Sequence, residues 1–261
     1  MKRYDSSRKK MPGILTAVLC MIFFFSSAFI LYIGMDYHKI DELYEKSAAE
    51  FTTVQESGAD FKAGVKEIRE SIPVTIDFAA LRNINEEIAG WIYCEGTKLN
   101  YPVLQGTDND FYLSHTYDRA ANRAGSIFVE ALNAPGFADS NTIIYGHHMK
   151  NGSMFAVLRN WADQAYYEEH PVMWLLTPEQ NYQIRLFSGY MTEASSAAYT
   201  VYQSPCSEFD EYIRAACANS DFRADVETDP NGRFVVLSTC EYDFEDARYV
   251  LHGMLVPYGK N

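Results

Sequence analysis

A run of 22 uncharged residues near the start of the chain constrains its fold more than any other feature. Residues 13–34 read GILTAVLCMIFFFSSAFILYIG. As a helix rising about 1.5 Å per residue, this run spans about 33 Å, close to the hydrocarbon thickness of a bilayer. A cleaved signal peptide has a shorter apolar region followed by small residues, whereas Ser26, Ser27 and Ala28 lie inside this run. The run therefore predicts an uncleaved transmembrane anchor, with a cleaved signal as the less favoured alternative.

The charges on either side of the run predict its orientation. Five Lys and Arg residues stand within the first ten positions, whereas Asp36, Asp41 and Glu42 follow the run. Positively charged flanks stay on the cytoplasmic side of a membrane. We therefore expect a single-pass protein of the cell membrane with a cytoplasmic N-terminus and an extracellular domain after Asp36.

The charge of the chain argues against nucleic acid as a partner. The chain has 22 Lys and Arg residues against 35 Asp and Glu residues, a formal net charge of −13. Without the first ten residues, the formal net charge is −17. A domain this acidic repels phosphate backbones and anionic lipid headgroups. The only membrane contact that we predict is the N-terminal helix.

Changes of composition along the chain predict four segments. These are a basic cytoplasmic tail (1–12), the transmembrane anchor (13–34), a helical stalk (35–72) and an extracellular domain (73–261). The stalk is polar with apolar residues at roughly helical spacing, which is typical of an exposed or peripherally packed helix.

Short apolar segments, separated by Gly, Asn or Pro, dominate the extracellular domain. They are WIYCEG, LNYPVLQG, GSIFVEA, NTIIYGHH, MWLLTP, YQIRLFSGY, FVVLSTC and RYVLHGMLVPY. This pattern predicts a closed or sandwiched all-β domain of about eight strands. Three helices are added: DFAALRNINEEIAG, ending at Gly90; SMFAVLRNWAD; and SEFDEYIRAACANS, with Ser207 as its N-cap.

The five cysteines do not form a close-spaced pair. No CxxC or HExxH motif is present, so we predict neither a metal site nor a cofactor. Cys94 has the context of an ordinary buried core residue. Cys206 and Cys217 belong to one predicted helix and are poorly placed to pair with each other. We expect mostly free thiols.

Cys240 has a different context from the other cysteines. It follows Ser238 and Thr239 at the point where an apolar strand meets an acidic loop. A cysteine at a strand end is more often inert and buried than reactive. A strand end that leads into a loop is, however, where a rigid scaffold presents a reactive side chain. Both interpretations are open on these residues alone.

A cysteine nucleophile needs a proton partner, and His147 is the best-placed histidine for that role. It follows Gly146 at the end of NTIIYGHH, where the glycine permits close backbone approach. The alternative is a surface histidine with a structural hydrogen bond. The other histidines lack the combination of strand end and glycine; apart from His148, which follows directly, they are His38, His115, His170 and His252.

Arg248 opens the strand that follows Cys240. A short loop between neighbouring strands places both residues at the same end of the sheet, where the guanidinium can donate to the oxygen of a reacting carbonyl. The alternative is a surface ion pair worth about 0–1 kcal/mol. Its acidic partners would come from the intervening loop: Glu241, Asp243, Glu245 and Asp246.

The segments YGHHMKNGSMF and LSTC, together with the downstream arginine, resemble the sortases, and most closely their class B branch. The resemblance runs from DFAALRNINEEIAGWIYCEG to RYVLHGML and so covers nearly the whole extracellular part. It implies a mainly β fold, an eight-stranded sortase-type β-barrel with added helices, one of them between strands six and seven. The transmembrane helix would precede this barrel.

The resemblance also implies roles for individual residues. Cys240 would be the nucleophile, His147 the proton carrier and Arg248 the donor to the reacting carbonyl. Positions that resemble the family's peptide groove are Asn109, Leu113, Ser238, Thr200 and Tyr199.

The implied activity is that of a cysteine transpeptidase, in the peptidase class of enzymes. It would cleave a C-terminal sorting signal after Thr, form a thioester, and join the protein to a peptidoglycan amine. The signal would be NPQTN-like or (S/P)PxTG-like, and the amine would come from lipid II or a cross-bridge. The partners would be secreted proteins of a Gram-positive bacterium, and no cofactor is expected.

Four other functions compete with wall anchoring. A hydrolytic cysteine peptidase shares the nucleophile but uses water as the acceptor. A pilus-assembling sortase commonly carries a lid and a C-terminal membrane helix, neither of which is evident here. An L,D-transpeptidase has an S-H-G-C run that this chain lacks. A membrane-tethered adhesion domain would use Cys240 only structurally.

Overall fold

The computed structural model of the chain describes residues 13–55, 72–240 and 247–259. Within these ranges, the side chains of Ile14, Asp36 and Cys240 are not described. The predicted cytoplasmic tail (1–12) and the acidic loop (241–246) therefore lie outside the described residues. The domain boundaries that the sequence suggests remain predictions.

A long helix, α1 (Gly13–Phe51), opens the described part of the chain. Among the described residues it is the one helix long and apolar enough to cross a membrane, with a mean hydropathy of 2.3 over its most apolar 18-residue window. The helix predicted for residues 13–34 is thus present. The chain divides into two compact units, residues 1–43 and residues 44–261.

The second unit is built on a closed barrel of eight strands. In chain order these are β3 (Ile88–Tyr93), β4 (Asn100–Leu104), β5 (Ile127–Val129), β6 (Asn141–Gly146), β7 (Val172–Leu176), β8 (Tyr182–Glu193), β9 (Arg233–Cys240) and β10 (Ala247–Pro257). Around the barrel their order is β10-β8-β7-β3-β4-β5-β6-β9. All eight apolar segments became barrel strands, so the predicted eight-stranded barrel is confirmed.

Two of the eight strand pairings are parallel, β4 with β5 and β6 with β9. The remaining six are antiparallel. A separate two-stranded sheet joins β1 (Thr52–Val54) to β2 (Val74–Ile76), a pairing that the sequence did not predict.

α-Helices and short 3-10 helices lie before and between the strands of the barrel in the chain. The α-helices are α2 (Phe78–Ile84), α3 (Gln164–Glu169) and α4 (Ser207–Asn219), and the 3-10 helices are Phe111–Leu113, Phe155–Ala162 and Ala197–Tyr199. The chain reaches α4 between the sixth and seventh barrel strands, as the resemblance implies. Phe209, Ile213 and Ala216 of α4 pack in one cluster with side chains of β6, β8, β9 and β10, so α4 covers the face of the barrel on which these side chains lie.

The ends of the helices differ from the sequence predictions. Helix α2 ends at Ile84 and not at Gly90. Gly90 belongs to β3, where an added Cβ would lie 2.9 Å from the carbonyl oxygen of Leu176. Cys206 holds the N-cap position of α4 and makes no side-chain cap, whereas Ser207 is the first helical residue.

SMFAVLRNWAD forms a 3-10 helix and not an α-helix. The Asp163 carboxylate then caps the next helix, accepting from the backbone N–H of Ala165 at 2.7 Å and of Tyr166 at 3.3 Å.

His252 lies inside the fold and not at a reactive surface. It is 1% exposed, and its Nε2 lies 2.6 Å from the hydroxyl of Tyr212. Burial raises the pKa of that tyrosine, so its hydroxyl stays protonated and can donate to the imidazole. Burial also lowers the pKa of His252 to about 3, because the imidazolium form would lose its hydration.

His252 makes the stability of the fold depend on pH. The pKa of an unfolded histidine is about 6.5, so between about pH 3 and 6.5 the unfolded chain binds more protons than the folded chain. The contribution of the neutral imidazole is therefore complete above pH 6.5 and is lost as the pH falls. We expect the free energy of unfolding to drop by up to about 1.4 kcal/mol per pH unit in this window on account of His252.

Urea unfolding of the detergent-solubilised chain at several pH values between 4 and 7 measures this slope. In His252→Phe the slope should be smaller by the same amount, whatever the absolute stability of the variant. Equal slopes for the two proteins would contradict the assignment.

Candidate active site

Parallel pairing of β6 with β9 brings two of the predicted site residues to one rim of the barrel. The register aligns Tyr145 with Ser238 and Gly146 with Thr239. Since the strands run in the same direction, both end at the same rim. His147 is the next residue after Gly146, and Cys240 is the last residue of β9.

The third predicted residue reaches the same rim through the next strand. β10 runs antiparallel to β9, and its register places the Cα of Arg248 directly opposite the Cα of Cys240. The backbone therefore brings His147, Cys240 and Arg248 together from three adjacent strands. Their chemical roles remain a prediction.

Close packing under Gly146 fixes the backbone at the rim. A Cβ added at this glycine would lie 2.5 Å from Ile127 Cδ1 and 2.6 Å from Phe155 Cγ. The chain then turns back, and the N–H of Phe155 donates to the carbonyl of His147 at 3.0 Å. Any side chain at residue 146 would push the His147 backbone out of this position.

The imidazole of His147 is oriented by the backbone of Leu113. Its Nε2 lies 2.7 Å from the Leu113 carbonyl oxygen. Because a carbonyl can only accept a hydrogen bond, Nε2 carries a proton. In the neutral ring, Nδ1 is then the atom that can accept a proton from a thiol.

The guanidinium of Arg248 is partly buried and lies along its own strand. One nitrogen, Nη1, donates to the carbonyl of Ala247 at 2.9 Å. A guanidinium has five N–H groups in a planar fork, so this bond uses only one of them. Arg248 is therefore able to donate to a further oxygen at the rim.

Ser238 and Tyr199, two of the residues predicted to line a peptide groove, contact each other below the rim. Ser238 belongs to β9 and precedes Cys240 by two positions. Its hydroxyl lies 2.7 Å from the hydroxyl of Tyr199. The Tyr199 ring stacks on Tyr145 with centroids 6.2 Å apart and an interplanar angle of 9°.

The adjacent residue, Thr200, is held by its backbone. Its carbonyl accepts from Asn141 Nδ2 at 2.8 Å, while its side chain is exposed. Thr200 therefore stands at the start of β6, away from the rim.

Asn109 contacts Glu130, which follows β5, and Leu113 contacts His147, which follows β6. The side chain of Leu113 is 42% exposed although its carbonyl is bound to His147. Asn109 Nδ2 lies 2.7 and 2.8 Å from the two carboxylate oxygens of Glu130, the residue that follows β5. Thr200 therefore lies apart from the other four predicted groove residues, and the roles of all five in binding remain predictions.

Sequence reasoning missed Glu130 and Tyr145. Glu130 is only 7% exposed, and its carboxylate accepts from the Tyr145 hydroxyl at 2.9 Å. Burial, together with this neighbouring negative charge, raises the pKa of Tyr145. The signal was available, because a lone acidic residue ends the otherwise apolar segment GSIFVEA.

The other cysteines of the second unit are free and differ in exposure. Cys206 and Cys217 are exposed free thiols at the two ends of α4. Cys94 is buried, with its sulfur 3.7 Å from the carbonyl of Val172. Within the part of the chain that the structure describes, no three His, Cys, Asp or Glu residues cluster as metal ligands.

Replacing Gly146 should disturb the rim. In Gly146→Ala the new methyl group must displace Ile127 or Phe155, and we expect the free energy of unfolding to fall by about 1–3 kcal/mol. Gly106→Ala is the matched control, because the closest contact of its Cβ would be the edge of the Tyr112 ring at 3.3 Å. Urea unfolding of both variants tests this, and equal stabilities would contradict the close packing inferred at residue 146.

The chain is similar to known proteins over most of its length. The family model for the sortase domain matches residues 92–256. Sortase B of Listeria monocytogenes is 34% identical over 244 residues, which cover 93% of this chain and 95% of the relative.

Solved structures give the same result. The Staphylococcus aureus sortase B–substrate complex is 33% identical, with a TM-score of 0.66, covering 70% of this chain and 85% of that one. A sortase B in complex with triglycine is 34% identical, with a TM-score of 0.65, covering 70% of this chain and 86% of that one. With the barrel and its rim, these similarities show that the chain belongs to the sortase family of cysteine transpeptidases, within class B.

Proposed function

We propose that this sortase joins proteins bearing a C-terminal sorting signal to an amine of the cell-wall peptidoglycan, through a thioester on Cys240. The observation that carries the proposal is the register of β6, β9 and β10, which aligns His147, Cys240 and Arg248 at one rim. The relatives crystallised with a substrate and with triglycine support a peptide donor and an amine acceptor.

In the first step the Cys240 thiolate attacks the carbonyl carbon of the Thr in the signal. The C–S bond forms first, and the peptide C–N bond breaks when the resulting tetrahedral intermediate collapses. The oxygen carries negative charge in the tetrahedral intermediate, and N–H groups of Arg248 donate to it. His147, as imidazolium, gives its Nδ1 proton to the leaving amine, which departs neutral.

In the second step the peptidoglycan amine attacks the thioester. A C–N bond forms, the C–S bond breaks, and sulfur leaves as the thiolate. The attacking nitrogen loses a proton to Nδ1 of His147, which restores the imidazolium. Throughout both steps the N–H at Nε2 of His147 donates to the Leu113 carbonyl. Nδ1 is therefore the ring atom that gives the proton in the first step and receives it in the second.

The sorting signal binds as an extended peptide that approaches Cys240 along the β6–β9 face. Asn109 and Leu113 stand on one side of this path and Tyr199 on the other. The signal is of the NPQTN-like or the (S/P)PxTG-like kind, and both place Thr at the carbonyl that reacts. Lipid II or a cross-bridge supplies the amine.

The N-terminal helix would hold the enzyme on the outer face of a Gram-positive cell membrane. Exported substrates are tethered to the same surface before cleavage. Confinement of enzyme and substrate to one surface raises their effective concentration without any added contact. The basic residues before the helix and the acidic residues after it support this orientation.

The function is tested by incubating the detergent-solubilised full chain with a panel of sorting-signal peptides and amines that includes triglycine. Mass spectrometry of the products should show cleavage after Thr and an amide adduct with the amine. Release of free acid alone, with the amine in excess, would identify a hydrolytic peptidase. Preference for a lysine side chain as the acceptor would favour the pilus-assembling alternative.

Removal of the thiol or the imidazole should abolish transpeptidation. In Cys240→Ala no thioester can form, and in His147→Ala the leaving amine has no proton donor. We expect turnover of the best peptide to fall at least about 1000-fold in each variant. Cys217→Ala is the matched control, since its exposed thiol lies on α4, and it should keep normal turnover. A thioester trapped on any other cysteine would remove Cys240 from its role.

Arg248→Lys tests whether the planar fork of the guanidinium is required. A lysine keeps the charge but offers a point donor on a flexible stem, so it replaces a bidentate donor poorly. We expect kcat to fall about 100-fold. Arg214→Lys, on the exposed face of α4, is the control substitution. Near-normal turnover of Arg248→Lys would exclude a role for the fork.

A further inference from the structure

The buried carboxylate of Glu130 holds together residues near the ends of β5 and β6 by hydrogen bonds. Glu130 is 7% exposed and accepts four hydrogen-bond contacts from three groups. Its Oε1 accepts from Asn109 Nδ2 at 2.7 Å and from the N–H of Leu132 at 3.1 Å. Its Oε2 accepts from Asn109 Nδ2 at 2.8 Å and from the Tyr145 hydroxyl at 2.9 Å.

We propose that Glu130 is a positioning residue that fixes the amide of Asn109 so that an N–H group, and not the carbonyl oxygen, faces the sorting signal. This inference rests on the proposed function. It assigns to Glu130 an effect on recognition of the peptide, through the amide of Asn109.

The hydrogen bonds of Asn109 allow one orientation of its amide. An ionised carboxylate can only accept, so the NH2 group of Asn109 must face Glu130. On the other side, Oδ1 accepts from the N–H of Ala131 at 2.9 Å, and a backbone N–H can only donate. Both neighbours therefore select the same orientation, and a flipped amide would oppose donor to donor and acceptor to acceptor.

One N–H of Asn109 remains available for a substrate. The two carboxylate oxygens share one carbon and lie on the same side of Nδ2, so they share one of its two diverging N–H groups. The other N–H points away from Glu130. Asn109 is partly exposed, so this group can donate to a peptide carbonyl in the groove.

The same bonds tie down the segment that orients His147. Asn109 is four residues before Leu113, and the 3-10 helix Phe111–Leu113 joins them. The carbonyl of Leu113 in turn accepts from His147 Nε2. Glu130 thus anchors one end of a short rigid segment whose other end contacts the imidazole.

Glu130 is also connected to Tyr199, through Tyr145. The pKa of Tyr145 is raised by burial and by the carboxylate, so its hydroxyl remains a donor to Glu130. Its ring stacks on Tyr199, whose hydroxyl meets Ser238. One carboxylate therefore supports both sides of the path that leads to Cys240.

Glu130→Gln is the first test, made on the full chain with the peptide and triglycine that the wild-type protein uses. A glutamine can present either its oxygen or its NH2 group to Asn109. The side chain at residue 130 then no longer selects one orientation of the Asn109 amide. We expect KM for the peptide to rise about tenfold, the effect of one lost hydrogen bond. KM for triglycine should be unchanged. Glu211→Gln, the same substitution on the exposed face of α4, is the matched control.

An exchange of the two groups separates positioning from a purely structural role. In the double variant Asn109→Asp/Glu130→Gln, the glutamine NH2 donates to the aspartate, and the second aspartate oxygen still accepts from Ala131. The pair is restored, so thermal stability should return toward wild type. The groove, however, receives an acceptor in place of a donor, and KM for the peptide should stay raised.

Recovery of both stability and peptide KM in the double variant would overturn the proposal, since pairing alone would then suffice. A change of less than about twofold in peptide KM for Glu130→Gln would overturn it as well, because a lost hydrogen bond has a larger effect. Neither result bears on the proposed function, which the wild-type protein tests by itself. A wild-type protein that gives no amide adduct would remove the proposed function instead.

Discussion

The parallel pairing of β6 with β9 is the constraint on which the rest of the site depends. Parallel neighbours end at the same rim, so residues that follow the two strands meet although they lie far apart in the chain. The register is equally important. A slip of one position would turn Ser238 to the opposite face of the sheet, away from Tyr199. The absence of a side chain at Gly146 lets Ile127 and Phe155 pack beneath the rim and keeps β6 in that register.

The surroundings of the site follow from the alternation of side chains along these two strands. Ile143 and Val236 point outward and are covered by α4, whereas Tyr145 and Ser238 continue the same face toward the rim. There the cover changes from an apolar helix to polar contacts, with Tyr199 on one side and Glu130 with Asn109 on the other. The surroundings of this face thus change from an apolar core beneath α4 to polar contacts within one or two residues.

Local rules failed where tertiary contacts decide the end of an element. DFAALRNINEEIAG has the composition of one helix, but Gly90 is needed in β3, where the Leu176 carbonyl leaves no room for a Cβ. Ser207 is a good N-cap by residue type, yet the chain enters α4 one residue earlier, at Cys206. SMFAVLRNWAD has the composition of an α-helix but forms a 3-10 helix, and Asp163 then caps the helix that follows.

The sequence by itself determined the apolar helix, the eight barrel strands and the proximity of Cys240 to Arg248. These depend on hydrophobic patterning and on one short loop, which are local properties. Only the tertiary structure decided that His147 joins them, that Leu113 orients its ring, and that Glu130 holds Asn109. The hydrogen bonds concerned link residues 34 and 21 positions apart. The physical reason is that no local preference favours such contacts; closure of the barrel around β6 and β9 creates them.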